Sequence, residues 1–337
     1  MKNLLLILLL LLTGEISAQQ TATIVVKTTP DNEIAYWPTG KDHLFFITLG
    51  TKAQADPQGQ FVHEFSVSRP TTIHVWAKGN NSFTLYLTPG SKDTIAVAKD
   101  TINFSGTNRV YNRCLKAVDD YQQYSDNLIY MQPHELEGVT SLEQYHQLAD
   151  ARMKQALDSV NASGLDKEFL VEQRAHIDYT YRSIFLHVAM YLVKNENFTE
   201  NWRKELAEII NQPVDSDYLR SYRGIGLFIN DLIGAQFIKL ENGKPEEIKD
   251  YCAFRFDRYR KFFKGDNLQY AQALLIYEDE FQTRNTPSIP QLYERYKAEF
   301  PNSPFLSVLE PGVNKNLRFQ NSRIDDKDYH ILPCDST

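Results

Sequence analysis

With 337 residues, 42% of them hydrophobic and 12% aromatic, the chain is long enough for roughly two domains with sizeable cores. A net charge of -7 and a pI near 5.7 exclude the basic footprint that nucleic acid requires and give no attraction to anionic lipid. Three cysteines, none in a C-x-x-C spacing, exclude a scaffold built on disulfides, and their odd number leaves at least one thiol free or paired with another molecule.

The first residues carry Lys2, an apolar run from Leu4 to Leu12, and a small-residue site at Ile16-Ser17-Ala18. This pattern predicts a secretory signal peptide over residues 1–18 and a periplasmic or secreted product. The run is shorter than the roughly 20 residues that span a bilayer. No cysteine follows it to take a lipid anchor, so no integral membrane segment is expected after signal cleavage.

From residue 19 to about 106 the period is two. "TATIVVKT" is rich in β-branched residues, and "HLFFITLG" puts Phe45, Ile47 and Leu49 on one face. "QFVHEFSV" sets Phe61, Phe65 and Val67 against Glu64 and Ser66. "TTIHVWAKG" sets Ile73, Val75 and Ala77 against His74, Trp76 and Lys78. "SFTLYL" and "DTIAVAKD" follow, and Pro/Gly/Asn turn signals divide the segments. Short strands at this spacing predict an antiparallel sandwich.

After "FSGTNRVYN" (Phe104 to Asn112) the period becomes helical. Leu170, Arg174, Ile177, Tyr181, Ile184, Phe185, Val188 and Leu192 form one stripe, with Arg174 its charged intruder. Ile225, Ile229, Leu232, Ile233 and Phe237 form another. Thr140-Ser141-Leu142-Glu143-Gln144 offers a capping box, and Ser303-Pro304 a helix start. About eight or nine helices are expected between residues 108 and 320. The fold class is α+β: a β-sandwich domain over 19–106, an all-α helical domain over 107–320, and an extended linker over 321–337 with a short strand at Tyr329–Leu332.

The sequence holds no nucleophile elbow, phosphate-binding loop or H-E-x-x-H, so no catalytic, cofactor-binding or metal residue is assigned. His43 and His63 share the phase of core positions and could face a metal or a backbone partner; no nearby carboxylate or cysteine completes a ligand set. His176 and His187 lie about three turns apart on one helix, too far to share a ligand. The G-x-G in "YRGIGLF" sits in a helical pattern and reads as close helix packing. Glu278-Asp279-Glu280 and Asp325-Asp326 read as solvated acidic faces. Cys114 and Cys252 share phase with apolar neighbours and read as small buried residues, which an exported protein could also bridge.

Aromatic residues are the unusual feature, with 19 Tyr and 19 Phe. They crowd one helix, interleaved with Arg255, Arg258, Arg260 and Lys261. Such a helix is buried on more than one side or presents a surface to a partner. The candidate partner surface is Tyr251, Phe254, Arg255, Arg258, Tyr259 and Phe262. Cys334, near the end in "DYHILPCDST", is the candidate free thiol.

Two stretches resemble the N-terminal region of periplasmic thioredoxin-like proteins of the TlpA/ResA type. The first is "FTLYLTPGSKDTIAVAKDTINFSGTNRVYNRCL", where Phe104-Ser105-Gly106 and Asn112 fit the family's F-S-G-x-x-x-x-x-N pattern. Its Pro89-Gly90-Ser91-Lys92-Asp93 turn departs from the usual Pro-Gly-Asp-Ser order. The second is "LYERYKAEFPNSPFLSVLEPGVNKNLRF", similar to the segment that closes the helical part. The resemblance implies a non-catalytic accessory or partner-binding module of a thiol-disulfide oxidoreductase, with protein or peptide partners in the envelope and no cofactor. The W-C-x-x-C domain that follows in those proteins has no counterpart in this sequence. No catalytic residue therefore carries over, and Cys334 reads as a linker cysteine. The alternative is a stand-alone periplasmic protein that binds a peptide or glycan.

Overall fold

The computed structural model describes residues 20–39, 43–44, 50–79, 81–98, 101–127, 141–192 and 198–322. The segment expected as a signal peptide, the strand expected at Tyr329–Leu332, Cys334 and most of the strand expected over 43–50 lie outside them. The class is α+β: strands fill the N-terminal part and helices the rest.

Eight strands are described: β1 Gln20–Lys27, β2 Glu33–Thr39, β3 Thr51–Gln54, β4 Gln60–Val67, β5 Thr71–Ala77, β6 Asn81–Leu87, β7 Lys92–Ala98 and β8 Thr101–Gly106. They form two four-stranded sheets, ordered β4-β1-β7-β8 and β3-β2-β5-β6. The period of two maps directly onto burial. Ala22, Ile24 and Val26 stand opposite Phe65, His63 and Phe61 in the β1–β4 ladder. Their face packs on Ile34, Ile73, Val75, Phe83 and Leu85 of the second sheet. The Phe83 and Phe104 rings meet edge to face at 6.1 Å across the sandwich. One pairing departs from the antiparallel expectation: β1 runs parallel to β7, with Thr23 beside Lys92 and Lys27 beside Ala96. The two strands are joined not by a hairpin but by a path through both sheets, which frees their relative direction.

β6 is the outermost strand of its sheet, so alternate N–H groups point away from the ladder. Two of these, and the Thr88 N–H just beyond the strand, find side-chain acceptors. Thr84 donates to Asp119 Oδ2 at 2.5 Å, Tyr86 to Asn112 Oδ1 at 2.7 Å and Thr88 to Ser91 Oγ at 3.3 Å. Asn112 and Asp119 stand two turns apart on α1 (Arg109–Asp126), so one helix face caps the strand edge. The Thr84 hydroxyl also donates to Asp119 Oδ1 at 3.0 Å and lies 3.1 Å from His74 Nδ1. His74 lies on the face opposite Ile73, Val75 and Ala77, and it too is buried, beside the Trp37 ring 5.1 Å away. Asp119→Ala should leave the Thr84 N–H buried without an acceptor and cost about 2–3 kcal/mol in urea unfolding. Asp119→Asn keeps one acceptor and should lose less; an alanine variant as stable as the parent would refute the capping role.

The F-S-G…N pattern is explained by the same corner. Gly106 has φ 110°, and a Cβ there would strike the Lys92 carbonyl oxygen. Two residues on, the Asn108 N–H and side-chain amide donate to the two Asp93 oxygens at 2.7 and 2.9 Å.

The remaining helices are α2 Leu142–Ala162, α3 Lys167–His187, α4 Glu200–Asn211, α5 Ile225–Gly234, α6 Tyr251–Arg258, α7 Gly265–Phe281, α8 Ile289–Glu299 and α9 Leu306–Asn321. The expected capping box opens α2: Ser141 N–H donates to Gln144 Oε1 and Gln144 N–H to Ser141 Oγ, at 3.1 and 3.2 Å. Contacts divide the chain into two compact units. One holds Met1–Gly40, Ile47–Gln123 and Lys154–Arg174; the other holds Lys41–Phe46, Tyr124–Met153 and Ala175–Thr337.

α3 differs from its expected stripe. Arg174 is exposed and donates to Asn161, and from His176 onward the helix is buried almost all round. Two wide π-helical turns, Val188–Leu192 and Ala235–Leu240, follow α3 and α5 and pack on each other. Gly234 makes room for them: a Cβ there would lie 2.6 Å from the Met190 methyl.

Candidate functional site

α6 begins where the Asp250 carboxylate accepts the Ala253 N–H at 2.9 Å. On its outer side Tyr251 is 46% exposed, and its ring lies nearly parallel to that of half-buried Phe254, 6.2 Å away. Phe237, from the second π-helical turn, meets Phe254 edge to face at 4.8 Å. The Arg258 guanidinium stands 4.7 Å from the Phe254 centroid and 5.2 Å from that of Phe237. Glu241 holds it at 2.8 Å and takes Lys261 on its other oxygen at 3.2 Å. The result is a connected ridge of three rings and one oriented arginine.

Two expected members of this surface are not on it. Arg255 is 2% exposed and Tyr259 is fully buried. One turn apart, they face inward with Cys252, Phe256 and Phe263. Arg255 donates to the Tyr259 hydroxyl at 2.8 Å and pairs with Glu278 Oε2 at 3.4 Å. Phe262 is half-buried, its ring 6.2 Å from that of Phe263.

The acidic run on α7 is likewise internal rather than solvated. α7 packs most of its surface on neighbours, so Glu278 and Asp279 are buried and need partners. Glu278 pairs with Arg255, and Gly226 leaves it space: a Cβ at 226 would come within 2.9 Å of Glu278 Oε1. The expected close packing at the G-x-G thus serves a buried ion pair. Asp279 accepts from the Thr286 N–H and hydroxyl and from the Asn316 amide, tying α7 to the start of α8 and to α9.

Along α3 the polar residues His176, Thr180, Ser183 and His187 form a buried seam. His176 Nε2 lies 3.1 Å from Ser221 Oγ, and Thr180 shares a hydrogen bond with the Tyr222 hydroxyl at 3.1 Å. His187 Nδ1 meets Asp231 Oδ2 at 2.9 Å. Arg182 projects from the same helix to the carbonyls that end α4: Ile209 at 2.9 Å, Pro213 at 3.1 Å and Gln212 at 3.3 Å.

One cluster of titratable groups was not singled out from the sequence. His146 Nδ1 lies 2.9 Å from the Tyr181 hydroxyl, which donates to Asp150 at 3.0 Å; His146 Nε2 lies 3.5 Å from Glu205. Burial, and then the Asp150 carboxylate, push the Tyr181 phenol above its ordinary value. The four residues come from three helices, and only the i, i+4 spacing of His146 and Asp150 was visible in the sequence.

Cys114 and Cys252 are both free and buried, so the bridge between them is not made. Burial pushes the Cys114 thiol up to about 11, away from thiolate chemistry at neutral pH. Among the described residues no group of three or more His, Cys, Asp or Glu is placed to hold a metal ion, and no helix is long and apolar enough to cross a membrane. Compared with family models, curated proteins and solved structures, the chain matches none.

Proposed function

We propose that the chain is an exported, partner-binding module, similar in design to the region preceding the thioredoxin domain in TlpA/ResA-type disulfide reductases. Its α6 ridge takes a protein partner in the envelope. The observation that carries this reading is the ridge itself: exposed Tyr251 beside half-buried Phe254 and Phe237, with Arg258 over the last two rings and held in place by Glu241. Aromatic rings and arginine dominate the binding energy of protein interfaces, and a pre-oriented guanidinium loses little freedom on binding. Cys114 and Cys252, whose thiols burial pushes up, agree with a role in positioning rather than exchange.

The test is a photoactivatable cross-linker at exposed Lys249, beside the ridge, with exposed Lys154 as the control position, in the producing cell. A protein adduct is expected at 249 and not at 154, and Tyr251→Ala should lower its yield about tenfold. Identification of the adduct as a thioredoxin-like envelope protein would support the reading. Equal labelling at both positions, or an adduct indifferent to Tyr251→Ala, would overturn it.

A further inference from the structure

At one edge of the sandwich β4, the outermost strand of its sheet, faces β2, the neighbour of the outermost β3. On its inner face there, four rings crowd together: Tyr36 from β2, and Phe61, His63 and Phe65 from β4. The Tyr36 centroid lies 4.6 Å from that of His63, 5.4 Å from Phe65 and 5.8 Å from Phe61. His63 lies 4.5 Å from Phe65. Phe61 is buried, but Tyr36, His63 and Phe65 are only half covered, although they point the same way as the fully buried Ile24 and Ile34. The core is therefore left aromatic and partly wet at this edge.

The polar atoms there are a neutral pair. The Tyr36 hydroxyl and His63 Nε2 are 3.1 Å apart. The hydroxyl lies 3.5 Å from His63 Nδ1 as well, and the neutral phenol and imidazole together carry two donor hydrogens and the lone pairs that a ligand could share. Burial pushes the His63 imidazole below its ordinary value, against the pull of Glu64, whose side chain belongs to the opposite face of β4. No formal charge lies within the cluster. An anionic or cationic ligand would find no counter-ion among these four residues, and an extended peptide would engage the β4 backbone edge rather than the rings. A sugar unit presents a flat C–H face edged with hydroxyls, the complement of half-exposed rings around a neutral donor–acceptor pair. We propose that this edge binds a neutral oligosaccharide, sugar faces on Tyr36 and Phe65, hydroxyls on the Tyr36–His63 pair.

Titration calorimetry on the whole chain tests it with defined probes: cellohexaose, xylohexaose, maltohexaose and chitohexaose as neutral chains, hexagalacturonate as an anionic one, and the peptide Thr-Val-Thr-Val-Thr-Val. At least one neutral hexasaccharide should bind. Tyr36→Phe keeps the ring and removes the hydroxyl, and should weaken binding roughly tenfold. Phe65→Leu keeps the apolar contact with the core and should weaken binding through loss of the ring face. Tyr251→Ala, on the helical ridge, should leave the affinity unchanged, which separates this site from that one. Binding by none of the neutral chains, tighter binding of the peptide or of hexagalacturonate, or affinities indifferent to both sandwich variants would overturn the assignment.

Discussion

Replacing Arg182 with alanine is expected to remove about 3–5 kcal/mol of stability, measured by equilibrium denaturation. The size follows from what Arg182 does at the end of α4. A helix leaves its last carbonyls without intrahelical donors, and here the next residues are Gln212 and Pro213, the latter with no N–H to offer. The guanidinium supplies the donors instead, reaching the Ile209, Gln212 and Pro213 carbonyls while 1% exposed and lying 5.3 Å from the Phe228 ring centroid. Alanine leaves those acceptors buried and unmet and opens a cavity beside Phe228. Lysine keeps the charge but not the fork, so Arg182→Lys should recover only part of the loss. An alanine variant within about 0.5 kcal/mol of the parent would show that the carbonyls are satisfied by other means.

The second large effect is expected at His187, and it depends on pH. Asp231 is buried, and burial raises its carboxyl above the ordinary 3.8, opposed by the hydrogen bond and charge of His187. A group raised on folding contributes stability that is present below its unfolded pKa and lost as pH rises through its folded one. His187→Ala removes both opposing influences, so the folded pKa of Asp231 rises further. Near pH 4 the variant should show mainly the loss of packing; by about pH 7 the unpaired buried carboxylate should bring the deficit to about 3–5 kcal/mol. Adding Asp231→Asn should flatten that pH dependence. A deficit constant from pH 4 to 7 would mean that Asp231 does not carry it.

What was legible in the sequence had a short period. Phe61 and Val67 on β4, and Ile73, Val75 and Ala77 on β5, lie buried where the alternation puts them, because on a strand the side-chain direction repeats every two residues. β3 was not legible: Thr51–Gln54 is four residues long and largely exposed, with no buried face to mark it. The aromatic helix was recognised, but its two faces were not separated. Arg255 and Tyr259 turn inward because Glu278, on another helix, gives the guanidinium a partner. Arg182, the His187–Asp231 pair and the ring cluster at Tyr36 and His63 all depend on partners distant in the sequence. Spacing within one element cannot reveal such pairs, so an internal arginine looks like any surface cation until the carbonyls it meets are placed.

The parallel pairing of β1 with β7 bears on the order of folding. β1 lies between β4 and β7, so the first strand of the domain cannot gain its second neighbour until nearly the whole sheet region has been synthesised. Contacts that join distant parts of a chain form slowly, because loop closure must precede the contacts that stabilise it. In a chain made from its N-terminus, β1 therefore waits for its second neighbour until residues 92–96 have been added, and the β1–β7 pair closes late.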